Sequence, residues 1–223
     1  MQNLLKEILT RKNEFLKFLL RFILSSILGI LIIFLIKFYL SSQNILNSED
    51  INKFITTLRK LIEPYLPIFE GSKIKQILFI FLNNLRVVIF TGILSFITFG
   101  IFSEIVAYIN GFILGAVITS ISMMIPELNG FEMFVLGILP HGIFEIFAFL
   151  LSLTFAHSLS PTKTGIKEFT PYIKSYIIVI PILFIASIIE VLITPLLLGS
   201  GLAMTPFFII HFKNLGLTYH LEI

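Results

Sequence analysis

The sequence predicts an all-α protein, a polytopic transmembrane helical bundle of five spans. Three observations predict it. Of 223 residues, 57% are hydrophobic and 13% charged, about half the charge of an ordinary soluble domain. Mean hydropathy is +1.00. The apolar residues also gather into five long runs, and about twenty residues suffice for an α-helix to cross a hydrocarbon core of about 30 Å. A helix satisfies its own backbone hydrogen bonds, as hydrocarbon demands, so the lipid bilayer is the first expected partner. Cysteine is absent, which removes disulfides and thiolate metal sites. The net charge of +3 is small, and no basic cluster interleaved with aromatics points to nucleic acid.

The elements follow in order within a single domain, 1–223. Residues 1–17 set Lys6, Arg11, Lys12 and Lys17 among Leu4, Leu5, Ile8 and Phe15, the pattern of an interfacial helix. The first span is 18–40, with Arg21 and Lys37 near its ends, where long basic side chains can snorkel. This run is too long for the apolar part of a signal peptide, and no small-residue cleavage site follows it. Residues 41–75 form the long polar connection. Ser48, Glu49 and Asp50 make a helix start. Ile51, Phe54, Ile55, Leu58, Leu61 and Ile62 follow at helical spacing, and Pro64 and Pro67 end the helix. This amphipathic helix either covers the membrane or bundle end, or offers protein partners a docking surface.

The second span, 77–99, carries Asn83, Asn84 and Arg86, with Asn84, Val88, Thr91 and Ser95 on one face. The third, 104–125, contains Asn110, Gly111 and Gly115; the GxxxG pair permits close helix approach and is the expected contact of a homo-oligomer. The fourth, 131–157, is longer than the hydrocarbon core, so it must tilt, kink or break. Pro140 takes the partner from the Leu136 carbonyl, which predicts a break at Pro140-His141-Gly142, one turn after Gly137. The fifth, 176–198, holds Pro181 and Glu190, with Ser187, Glu190 and Thr194 on one face. Residues 202–212 are too short to cross upright and read as interfacial, re-entrant or a half-span.

Lysines and arginines orient the chain. With the N-terminus inside, the inner side receives Lys6, Arg11, Lys12, Lys17, Arg21, Lys163, Lys167 and Lys174. The outer side receives Lys53, Arg59, Lys60, Lys73, Lys75 and Lys213. The balance predicts a cell-membrane protein with a cytoplasmic N-terminus and, after five spans, an outer C-terminus.

Ionisable residues at bilayer depth are costly and mark functional positions. His141 and Glu145, at i and i+4, share a helix face. With Asn83, Asn84, Arg86, Asn110 and Glu190 they are expected to form one buried polar cluster between spans two to five. Three readings of that cluster stand beside one another. It is a network that fixes helix register, or a path for channel conduction or secondary transport, or the His141, Glu145 and Glu190 ligand set of an intramembrane metal hydrolase. No inverted repeat supports transport. HExxH is absent, so the enzyme reading ranks last, and no cofactor is expected.

Four blocks, FLNNLRVVIFTGILSFITFG at 81–100, NGFILG at 110–115, LPHGIFEIFAFLLS at 139–152 and IIEVLITP at 188–195, together resemble the stage II sporulation protein M family. NGxxxG followed by PHGxxE is the most specific combination. The resemblance implies five spans and a cytoplasmic N-terminus. It also implies a membrane scaffold, which in spore-forming bacteria recruits cell-wall hydrolases to the septum during engulfment, rather than an enzyme. The matching motif positions are Asn84, Asn110, Gly111, Gly115, His141, Gly142, Glu145 and Glu190. The expected function is therefore a non-enzymatic scaffold or assembly protein, with a channel or transporter as the alternative.

Overall fold

The computed structural model describes residues 2–42, 72–124, 131, 133–159 and 169–197, which are helical apart from short turns. Helix α1 (Gln2–Thr10) turns at Arg11 into α2 (Lys12–Ser42); α3 (Lys73–Ile97) and α4 (Ile101–Met124) follow. A π-helical stretch, Met133–Ile138, leads into α5 (Leu139–His157). Helix α6 (Phe169–Ile188) passes into a second π-helical stretch, Ile189–Ile193. Among the described residues, five stretches are long and apolar enough to cross a membrane: Lys12–Tyr39, Lys73–Ile97, Ile101–Ser120, Phe134–His157 and Phe169–Leu197. The amphipathic helix expected in the first loop and the segment 202–212 lie outside the described residues.

Helix α5 is the centre of the bundle. Leu150 through Ala156 are all buried, so the second half of this helix is enclosed on every side, while Ile143, Phe144 and Phe147 of its first half face outward. One face joins Val88 of α3 and Val179 and Leu183 of α6 through Ala148, Leu151 and Phe155. The other joins Phe18 and Phe22 of α2 and Val106 and Ala107 of α4 through Leu150 and Leu153. By contrast, α2 turns Leu20, Leu24, Leu31, Phe34 and Phe38 outward, an apolar surface suited to lipid.

Helices α2 and α4 pack through small residues. A Cβ on Gly111 would overlap Phe22 O and Ser25 Oγ, and one on Gly115 the Ser26 backbone; one on Gly29 of α2 would overlap Phe112 O of α4. The hydroxyls at this seam are satisfied on their own helices. Ser25 and Ser26 Oγ each donate to Phe22 O at 2.9 Å, and Thr119 Oγ1 donates to Gly115 O at 2.8 Å. The GxxxG face expected between copies is therefore occupied within one chain, because Ser25, Ser26 and Gly29 supply the complementary small surface. Helices α3 and α4 are joined by a three-residue turn at 98–100, in which Phe99 and Gly100 have φ of 55° and 86°.

The expected break at Pro140 does not occur. The backbone instead changes from π to α geometry just ahead of Pro140, within one continuous span, Phe134–His157, so the proline's missing N–H leaves a carbonyl of the preceding turn without its donor but does not interrupt the helix. The N-terminal helix also differs from expectation. It is a nine-residue α1, after which α2 starts at Lys12 instead of residue 18. Similarly, α6 begins at Phe169, seven residues before the expected start of the fifth span.

Candidate functional site

The site lies between α3, α5 and α6. Glu145 is twelve residues from either end of the stretch Met133–His157, and Asn84 is one residue from the middle of Lys73–Ile97. Both therefore lie near mid-depth of their spans, about 18 Å from either end at 1.5 Å per residue for Glu145. The Asn84 side-chain amide donates to Glu145 Oε1, a bond from α3 to α5. One turn earlier on α5, His141 Nδ1 lies 3.2 Å from Thr194 Oγ1, which directly follows the second π stretch. Glu190 stands within that stretch, four residues before Thr194. One donor atom each from His141, Glu145 and Glu190 lie within 4.8 Å of one another, and all three side chains are half-buried.

Both π-helical stretches adjoin this cluster. One ends three residues before His141 and the other contains Glu190. Such turns are rare and occur mostly at functional sites. Among the described residues, neither Glu145 nor Glu190 is paired with a lysine or arginine. Two carboxylates so close in a low-dielectric interior need a shared proton or a cation between them. The arrangement can therefore hold a proton, hold a cation, or lock three helices through its hydrogen bonds.

Of the residues expected to converge, Asn84, His141, Glu145 and Glu190 meet; the others do not. Asn83 and Arg86 are exposed, and the Arg86 guanidinium lies 6.0 Å over the Phe90 ring. Each residue turns about 100° around a helix, so the face that presents Asn84 to α5 turns both neighbours away. Asn110 Nδ2 donates to Val106 O of its own helix at 2.9 Å and forms no bond to the cluster. The cluster joins three helices and not four, because α4 is committed to α2. Gly137 and Gly142 are buried near it, and a Cβ on Gly142 would meet Ile138 Cγ2 at 3.3 Å.

Two features were not among the expected site residues. Thr194 is the partner of His141, and its signal was its place on the Glu190 face. At one end of the bundle, away from the cluster, Arg21 Nη1 and Glu104 Oε1 are 3.3 Å apart, and His157 Nδ1 is 3.9 Å from the same oxygen. That imidazole nitrogen is also 3.1 Å from Gly100 O. Arg21 opens the first span, Glu104 the third and His157 closes the fourth, so alternating topology places all three at one end.

The model of the stage II sporulation protein M family matches residues 18–195, a range that contains the whole site. An uncharacterized protein of Methanocaldococcus jannaschii is 36% identical over 125 residues, covering 51% of this chain and 67% of that relative. No solved structure matches the chain. With the family match spanning most of its length and five membrane-span helices in its fold, this multi-pass membrane protein belongs to the stage II sporulation protein M family.

Proposed function

We propose that the protein is a non-enzymatic membrane scaffold or assembly factor with a cytoplasmic N-terminus, and that its polar cluster holds α3, α5 and α6 in register. The observation that carries this reading is the pairing of the cluster's polar groups with one another across helices: Asn84 with Glu145, and His141 with Thr194. Membership of the family supports it. The open groove of about 690 Å³ between α3 and α6 is lined by Ile89, Gly92, Phe96, Phe169 and Tyr172 and by none of the cluster residues. Protein partners are expected at the 41–75 connection.

The test compares Glu145→Gln with Glu145→Leu. Glutamine keeps an acceptor for Asn84, whereas leucine strands a buried amide at a cost of about 1–3 kcal/mol. The expected result is near-native melting for Glu145→Gln, a clear loss for Glu145→Leu, and liposomes that stay tight to protons and cations with wild type and variants alike. A wild-type proton or cation flux that both folded variants abolish overturns the scaffold reading in favour of transport.

A further inference from the structure

We propose that His141, Glu145 and Glu190 bind one divalent transition-metal cation of the zinc class, tying α5 to α6 in the bundle core. The donor set is one imidazole nitrogen and two carboxylate oxygens, all within 4.8 Å of one another. Three protein ligands with a fourth position open is a recurrent zinc coordination. Bonds of about 2.1 Å at the tetrahedral angle place donor atoms about 3.4 Å apart. Small side-chain rotations of Glu145 and Glu190 close that difference without moving a helix. The imidazole favours zinc, iron, copper or nickel over calcium and magnesium, which take oxygen ligands.

Charge supports the same choice. Two carboxylates and one dication sum to zero around a neutral imidazole, so the loaded site has no net charge at membrane depth. Among the described residues no lysine or arginine offers that balance instead.

Two of the ligands also carry the outer partners that orient metal ligands. Asn84 donates to one oxygen of Glu145 and leaves the carboxylate a second. When His141 Nδ1–H donates to Thr194 Oγ1 across 3.2 Å, Nε2 is left unprotonated, with a lone pair available to a metal. Asn84 and Thr194 thus act as positioning residues. Glu190 lies in a π-helical stretch, where the wider turn displaces the side chain from the regular helical phase toward α5.

The experiment uses the full chain in detergent, stripped with a chelator, exposed to Zn²⁺ and desalted. Metal content is read by elemental mass spectrometry, and a parallel sample takes Co²⁺ for its visible absorption. Wild type is expected to retain about one Zn²⁺ per chain, to show the intense d–d bands of tetrahedral cobalt, and to melt higher when loaded. Glu190→Gln should lose all three signals while eluting as wild type does. His157→Ala, at the far end of the bundle, should keep them. Wild type retaining less than roughly a tenth of an equivalent, or Glu190→Gln retaining as much as wild type, overturns the proposal. If Glu190→Gln fails to fold, the wild-type stoichiometry and cobalt spectrum decide alone. The proposal does not rest on the scaffold reading, since metal content is read whether or not liposomes leak.

Discussion

Replacing Gly115 probes the backbone-to-backbone seam between α2 and α4. A Cβ there would overlap Ser26 O outright and would stand 2.7 Å from Ser26 C and 3.0 Å from Ser26 Cα, all of it backbone of α2. Ordinary contact begins at 3.4 Å, so clearing Ser26 C alone, from 2.7 Å to 3.4 Å, makes α2 retreat by about 0.7 Å for Gly115→Ala, and clearing the nearer Ser26 O takes more. A gap of that size forfeits roughly a third of the dispersion energy of each atom pair across the seam. Roughly twenty to thirty pairs at about 0.15 kcal/mol each then lose about 1–1.5 kcal/mol as a minimum, within the usual range for overpacking. In lipid no hydrophobic effect offsets this loss, because helices associate by packing itself. For a chain of this size the melting temperature should fall by about 2–6 °C, and Gly115→Leu should fall further. Ile113→Ala, on the outward face of the same helix and 51% exposed, should leave it nearly unchanged. The assay is heating of the detergent-solubilised protein followed by size-exclusion chromatography. Two results refute the reasoning. In one, Gly115→Leu melts like wild type. In the other, the variant changes only the oligomeric state while the monomer keeps its stability, which would place this face between copies.

Two further substitutions read other parts of the bundle. Gly100→Ala should destabilise by about 1–2 kcal/mol or more, because φ is 86° there and a Cβ would also overlap His157 O; a melting temperature equal to wild type would contradict this account of the α3–α4 turn. Thr194→Val keeps the shape but removes the His141 partner, and should cost about 0.6 kcal/mol, up to about 1.7 kcal/mol. A double-mutant cycle with His141→Ala should recover that coupling, and an additive cycle would deny the contact.

The candidate site was legible in type and in part by position. His141 and Glu145 stand out because i, i+4 spacing on an apolar helix is a one-dimensional fact, and Glu190 stands out as a carboxylate within another apolar run. Asn84 was readable, yet Asn83 and Arg86 could not be separated from it. Helical phase tells which residues share a face, but the face that meets α5 depends on where α5 lies. Asn110 misled for the same reason: its helix belongs beside α2, and nothing in the span's own composition says so. Thr194 had the right spacing from Glu190 but no visible reason to face His141 until α6 was placed against α5.

The order of residues alone is enough to read a helical chain, five spans and a few ionisable groups at membrane depth. Those properties follow from run length and hydropathy, which need no neighbour. Packing alone settles that the enclosed stretch is Leu150–Ala156 of α5, that Gly111 and Gly115 are used against Ser25, Ser26 and Gly29 of the same chain, and that His141, Glu145 and Glu190 come within 4.8 Å. Lipid is as apolar as the helix faces it covers, so hydropathy cannot distinguish a face turned to lipid from one turned to another helix. Close packing and hydrogen bonds between particular side chains make that choice, and they act across 45 residues from Glu145 to Glu190. Pro140 shows the same division: its missing N–H is written in the sequence, but a π-helical stretch ahead of it turns an expected break into the start of α5.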